Sequence, residues 1–466
     1  MKLEHTLSTP LNRREAIKVA TAGALGVMAP GLVSAEGMDG GGDAKAGAST
    51  RLALLVGNRI YPHPYDLPPV HKNVRDLKAA LESRGFTVTT AVDQDSKSLK
   101  RDITEFLSQV AAAPPDASVF FYFTGHGMQV DAENLLLGAG ANPEAKEDIL
   151  LDSSAHFQRD LIRGLPTKPK GMTMLVIDAC RTSLRAAFDK ADGLNQVEAP
   201  PGCLIAFSTG AGKPAISPAV ETQNTFYTAA LVNSLNNSSG DITFSDMFRK
   251  VKSDVQQTMS NHPIAAIRLV AQNPFIAENT SIRLRLSPQL AASPTSTRFD
   301  SGDELVLWNQ LDQSLLPGEV VQLAARYLER YPKSRLVTSA EVARDGAAES
   351  EKVLKRNDVK LYKSAFTQLG ANPAVGDDAR KAARGDKDAS ARIARRYMRG
   401  ADGVPSDLNR YEGWMQYAAA LGNGIACYEL AVHYRNQDQP LLASQFEARA
   451  QELGFTPPLA LDNKRK

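Results

Sequence analysis

Two short apolar runs constrain this chain more than any other feature. Residues 119–127 read Val-Phe-Phe-Tyr-Phe-Thr-Gly-His-Gly, and residues 172–180 read Met-Thr-Met-Leu-Val-Ile-Asp-Ala-Cys. Continuous runs of this length, rich in β-branched and aromatic residues, fit strands buried on both faces, as in a parallel sheet. One closes on Gly-His-Gly, the other on Asp-Ala-Cys. Open α/β sheets carry ligands and catalytic groups just beyond the carboxyl ends of their strands. The pattern therefore predicts His126 and Cys180 at one edge of one sheet, on neighbouring strands that end there.

That pairing has a chemical use. A cysteine attacks as its thiolate. An imidazole beside it can take the thiol proton and later hand one to the leaving amine. Gly125 and Gly127 flank the histidine, Asp178 and Ala179 precede the cysteine, and His126 and Cys180 are 54 residues apart. At these residues the chain resembles the caspase-like cysteine peptidases, on the side of the metacaspases and the bacterial caspase homologues. Caspases carry Gln where Asp178 stands. The Arg181-Thr182-Ser183 that follows the cysteine lacks a Gly that caspases and many metacaspases place two residues on.

The resemblance implies a cysteine endopeptidase acting on a protein or peptide. Cys180 would be the nucleophile and His126 the general base and acid. The backbone N–H groups of Gly127 and Cys180 would hold the oxyanion, and small flanking residues let such donors approach. Asp178 would be one acid of the first specificity pocket. The family's second acid lies in an Asn-Asp-Ala at the start of the first helix, where this chain has Lys72-Asn73-Val74, so Asn73 stands in its place. A single carboxylate favours a basic residue, Arg over Lys, because a guanidinium can meet it bidentately. The other reading of Asp178 is a carboxylate capping backbone N–H groups beyond its strand. A second function also stays open: a catalytically silent caspase fold that serves as a protein-binding module.

Around the two runs, strand and helix alternate, which predicts the α/β class with a mostly parallel sheet and flanking helices over residues 51–278. A first strand falls at 52–58, a Pro-rich loop at 61–70, a helix at 73–85 and a second strand at 86–92. A helix capped by Asp95 or Ser96 carries Leu99, Ile103, Phe106, Leu107 and Val110 at helical spacing. After the histidine run come 134–137 and a helical region through Ile162. A polar, exposed segment is expected over 181–201, a strand over 204–210, and helices over 224–235 and 244–259. Residues 207–212 and 224–228 resemble the part of bacterial homologues that helps wall the substrate cleft.

The flanks carry other signals. Residues 1–35 contain Arg13-Arg14 before a mildly apolar, Gly-bearing stretch that closes on Val33-Ser34-Ala35. This reads as a twin-arginine signal peptide cleaved after Ala35, with export to a bacterial periplasm. The other reading is a chance Arg-Arg beside an apolar segment. The stretch is too short and too Gly-rich for a stable membrane span. Residues 36–50 read as a flexible linker and 279–303 as another. The helical segment 304–375, with Trp308 and Tyr331-Pro332, resembles one that often follows bacterial caspase-like domains. In 380–460, Ala391-Arg392-Ile393-Ala394-Arg395-Arg396-Tyr397 recurs as Tyr428-Glu429-Leu430-Ala431-Val432-His433-Tyr434, an offset of 37 residues. With Gly403-Val404-Pro405 and Trp414, this resembles Sel-one-like repeats. An all-α solenoid separable from the catalytic domain and binding a protein partner is implied. The other reading is an antiparallel helical bundle.

Several chemistries are excluded. A net charge of +2 gives no basic field for nucleic acid. Three cysteines make no disulfide framework, and Cys203 and Cys427 sit in apolar contexts as core residues. Gly210-Ala211-Gly212-Lys213 fails as a phosphate loop, with Phe207 and Pro214 at two required positions. Neither H-E-x-x-H nor paired cysteines at zinc spacing occur, so no metal or cofactor is expected. Asp93-Gln94-Asp95-Ser96-Lys97 departs from a calcium loop at Lys97 and Ser98. Calcium dependence is implied only by resemblance to some metacaspases. The absence of G-x-S-x-G argues against a serine hydrolase.

Overall fold

The computed structural model describes residues 49–180, 194–210, 215–216, 218–288, 299–370, 372–373 and 375–457. The twin-arginine segment, most of the 36–50 linker and residues 181–193 lie outside the described residues.

Six strands form the main sheet: β1 (Arg51–Gly57), β2 (Thr87–Val92), β3 (Ser118–Val130), β6 (Thr173–Cys180), β7 (Cys203–Phe207) and β8 (Phe275–Asn279). Their order is β2-β1-β3-β6-β7-β8, parallel throughout except for β8, which runs antiparallel to β7. Two further strands, β4 (Glu133–Leu137) and β5 (Ser154–His156), pair antiparallel off the far end of β3.

The aromatic run sorts its side chains by the period of two that a pleated strand imposes. Phe120 and Tyr122 enter the core on one face, with Met174 and Val176 of β6; Val119, Phe121 and Phe123 enter the other, with Leu175 and Ile177. The first face is covered by α1 (Val70–Glu82), α4 (Phe226–Asn237) and α5 (Phe244–Ser260). The second is covered by α2 (Ser96–Ala112), capped by Asp95 accepting from Ser98 N–H at 2.7 Å, and by Phe157, Leu161 and Leu194. Burial on both faces explains why neither run alternates with polar residues.

Three local expectations change. The histidine strand does not stop at Gly127: β3 runs on to Val130, because β4 offers it an antiparallel partner with Gly127 opposite Leu136. The region through Ile162 is only partly helical. It holds α3 (Glu147–Asp152), the strand β5 and a π-turn over Phe157–Leu161. Leu194, Val197 and Ala199, in the segment expected to be exposed, are buried.

Part of the expected 279–303 linker packs on the sheet. Leu284 and Leu286, in the expected linker, belong to the sheet's core. The Arg51 guanidinium donates to the carbonyls of Leu286 (2.7 Å), Arg285 (2.8 Å) and Ser287 (2.9 Å), tying this stretch to the start of β1.

A short α6 (Ala265–Leu269) precedes β8, and the remainder is helical. It comprises α7 (Gly302–Gln313), α8 (Pro317–Arg330), α9 (Val337–Leu354), α10 (Ser364–Thr367), α11 (Gly376–Ala383), α12 (Lys387–Arg399), α13 (Leu408–Ala420), α14 (Gly424–Asn436) and α15 (Pro440–Glu452). The offset of 37 residues superposes α12 on α14, each entered through a side-chain cap, Asp386 and Asn423. Val353, Phe366 and Leu369 share one core with Trp414, Tyr417 and Tyr434, so the 304–375 segment merges with the helices after it.

These helices are not independent of the sheet. The outer edge of β8 is closed by α12: Lys387 Nζ donates to Ile276 O (2.8 Å), Arg392 donates to Glu278 O (2.7 Å), and Glu278 N–H donates to Asp388 Oδ2 (3.0 Å). The buried Glu278 carboxylate pairs with Arg249 (2.8 Å) and Lys381 (3.3 Å). Among the described residues no helix is long and apolar enough to cross a membrane.

Candidate active site

The parallel register of β3 and β6 pairs Thr124 with Asp178, Gly125 with Ala179 and His126 with Cys180. In-register residues of adjacent strands fall on the same face of a sheet. His126 and Cys180 therefore stand opposite each other at one edge of the sheet, with the His126 side chain on the face of α1 and α4. Cys180 is described here by its backbone alone.

The His126 ring is held from the Pro-rich loop. Its Nε2 lies 2.7 Å from the Tyr65 carbonyl oxygen, which can only accept, so the neutral ring carries its proton on Nε2 and Nδ1 is left as the basic nitrogen. Tyr61 packs edge-on against the ring, centroids 4.5 Å apart, and its hydroxyl accepts from the His126 N–H at 3.1 Å. The residue is 7% exposed. Burial lowers its pKa below the ordinary 6.5, and the Tyr65 carbonyl acts the other way.

The flanking glycines are demanded by packing. A Cβ on Gly125 would stand 2.9 Å from both the Phe123 ring and the Tyr61 hydroxyl. A Cβ on Gly127 would stand 2.9 Å from Ala179 Cβ. Such separations are too short for carbon contacts, so only glycine lets the two strand ends approach this closely.

Asp178 and Asn73 meet in one buried network on the same face. Asp178 is 4% exposed, and its Oδ2 accepts from Thr225 Oγ1 (2.5 Å) and Thr228 Oγ1 (2.6 Å), with the Tyr122 hydroxyl at 3.5 Å. Asn73 donates to Thr225 Oγ1 (3.2 Å) and Thr124 Oγ1 (3.4 Å) and accepts from Thr225 N–H (3.1 Å). Burial raises the Asp178 pKa, opposed by the hydroxyl donors. These bonds run to side-chain hydroxyls, not to backbone N–H groups beyond the strand.

Sequence reasoning placed Thr225 and Thr228 only within a segment resembling the cleft wall, not as partners of Asp178. The signal was the N-cap pattern, Thr225 followed three residues later by Thr228, whose N–H donates to Thr225 Oγ1 at 3.3 Å. It also left out Tyr61 and Tyr65, which a loop without periodicity brings to the histidine.

The two acids of the Asp93–Lys97 loop have protein partners. Asp93 is taken up by His71 (2.7 Å) and by the N–H groups of Arg59 (2.7 Å) and Ile60 (3.1 Å), and Asp95 caps α2. Among the described residues no group of three or more His, Cys, Asp or Glu side chains could hold a metal ion.

Mouse Caspase-1 is 26% identical over 133 residues, which are 28% of this chain and 31% of that protein. The chain thus spans under a third of that relative's length. Among solved structures, Caspase-1 from Spodoptera frugiperda is 18% identical, with a TM-score of 0.40 over 53% of this chain and 93% of the other. The structure of pro-sf-caspase-1 is 17% identical, with a TM-score of 0.37 over 51% of this chain and 94% of the other. The family model of the Caspase domain matches residues 50–285, just over half of the sequence and the full extent of the sheet with its covering helices. The chain belongs to the Caspase domain family, a family of cysteine peptidases.

Proposed function

We propose that this chain is an active cysteine endopeptidase of the metacaspase-like kind, working through His126 and Cys180. The observation that carries the reading is the register that makes these two residues partners, with the imidazole pinned so that Nδ1 is its base. The thiol proton of Cys180 passes to Nδ1, and sulfur forms a bond to the scissile carbonyl carbon. The N–H groups of Gly127 and Cys180 stabilise the oxyanion. The C–N bond then breaks as His126 returns the proton to the leaving amine. Water, deprotonated by His126, cleaves the thioester and frees the thiol.

The specificity we propose is for a basic residue, Arg over Lys, with Asp178 as the charge at the base of the pocket. What supports it is a desolvated carboxylate whose partners among the described residues are the hydroxyls of Thr225, Thr228 and Tyr122, so a cationic side chain would improve its surroundings. Asn73 adds hydrogen bonding without charge. The test uses peptide reporters ending in Arg, Lys or Asp. Wild type should favour Arg. Asp178→Asn keeps an oxygen for Thr225 and Thr228 and so should stay folded, yet lose more than about tenfold in cleavage after Arg, ~1.4 kcal/mol of transition-state binding. Equal hydrolysis of the Arg and Asp reporters by wild type would remove Asp178 from the pocket.

Two outer roles complete the proposal. The helices of 380–460 are read as Sel-one-like repeats that capture a protein partner. Residues 1–35 are read as a twin-arginine signal for export to the periplasm. Lysines at Arg13 and Arg14 should strand the precursor in the cytoplasm, and unchanged export would contradict that route.

A further inference from the structure

Beyond Cys180 the described chain resumes at Leu194, which is 1% exposed. A Cβ on Gly127 would stand 3.6 Å from Leu194 Cδ2. Leu194 and Val197 belong to the core on the α2 face, together with Ala179. This segment therefore backs the strand that carries Gly127, from the face opposite His126.

The far C-terminus holds it there. On one side Asn195 is tied to the β3–β4 hairpin: its N–H donates to Asn134 Oδ1 (2.7 Å), and Asn134 Nδ2 donates to Asn195 O (3.2 Å). On the other side Thr456 N–H donates to Asn195 Oδ1 (2.9 Å), and Asn195 Nδ2 donates to Thr456 O (3.0 Å). Gln196 N–H donates to Gly454 O (3.1 Å), its Nε2 donates to Leu453 O (2.7 Å), and its Oε1 accepts from Gly424 N–H (2.9 Å). Glu198 pairs with Arg395 of α12. Buried amide groups left without partners are destabilising, so each stretch depends on the other for this conformation.

We propose that residues 453–456 are a latch for the catalytic edge: they seat 194–197 behind Gly127, with Asn195, Gln196 and Thr456 as positioning residues. The effect on turnover rests on the peptidase reading above; the latch itself does not. It also turns the helical region from an appendage into a support of the site, because displacing the end of α15 would loosen the backing of the oxyanion strand.

The test is made on the full chain with Thr456→Pro. This removes the N–H that Asn195 accepts and the hydroxyl that accepts from Gln129 Nε2, at a position already followed by proline. Gln196→Ala serves as the second variant and frees Leu453 and Gly424 instead. Hydrogen exchange of the 194–197 and 127–128 amides is followed beside kcat and KM on an Arg reporter. We expect exchange in both stretches to rise at least about tenfold, kcat to fall at least about fivefold and KM to hold within about twofold, with the protection of β1 and β6 intact. Unchanged exchange at 194–197, or faster exchange with kcat unaltered, overturns the latch. A wild type without turnover sinks the peptidase reading instead; coupled exchange at 194–197 and 127–128 then upholds the latch, and uncoupled exchange ends it.

Discussion

His126 shows how much one hydrogen bond can decide. Because its Nε2 faces the Tyr65 carbonyl at 2.7 Å, the ring has one tautomer to offer when neutral, and the free nitrogen is Nδ1. Burial holds its pKa below 6.5 in the fold. Protonation of the folded ring thus begins only at lower pH, and the base stays available into mild acid. The acid limb of kcat/KM should therefore have its midpoint below pH 6.5. A midpoint above that value would mean that a carboxylate or the thiolate dominates the titration of the imidazole. The same shift bears on stability. Below the unfolded-state pKa of about 6.5 the unfolded chain gains a proton that the folded ring refuses, and stability falls until the folded pKa is passed.

At the scale of elements, the parallel core was legible because its chemistry is local. A run such as Phe120–Phe123 fits a strand wrapped on both faces, and Gly-His-Gly marks where packing forbids a Cβ. What could not be read was the set of contacts that join distant segments. Nothing near β3 in sequence announces that β4 will extend it beyond His126, and nothing near Asn195 announces Thr456. Asp178 was singled out by resemblance, but its threonine partners come from the start of a helix 47 and 50 residues later. The edge strand β8 is a further case. Exposed strand edges invite pairing with other chains, and here Lys387, Asp388 and Arg392 saturate the outward backbone groups of Ile276 and Glu278. Replacing Asp388 and Arg392 together by Ala should leave the N–H and carbonyl of Glu278 open and promote self-association, read by sedimentation at rising concentration. A doubly substituted chain that stays as monomeric as wild type would show that the helix body, not these side chains, protects the edge.

At the scale of the molecule, the α/β half holds the candidate site, and the helical half braces it at two places, the β8 edge and the 194–198 segment. The central claim is that this scaffold serves one reactive thiol. Cys203 and Cys427 are buried, and burial pushes their thiols up to about 11 and about 12, so neither supplies thiolate near neutral pH. The most direct measurement is labelling of the purified protein at pH 7 with an electrophilic thiol probe, mapped by mass spectrometry and run beside peptide hydrolysis, for wild type, Cys180→Ala and His126→Ala. The account predicts modification at Cys180 alone in wild type, slowed at least about tenfold by His126→Ala, with hydrolysis abolished in Cys180→Ala. Hydrolysis that persists in Cys180→Ala, or labelling that falls on Cys203 or Cys427 instead, would contradict it.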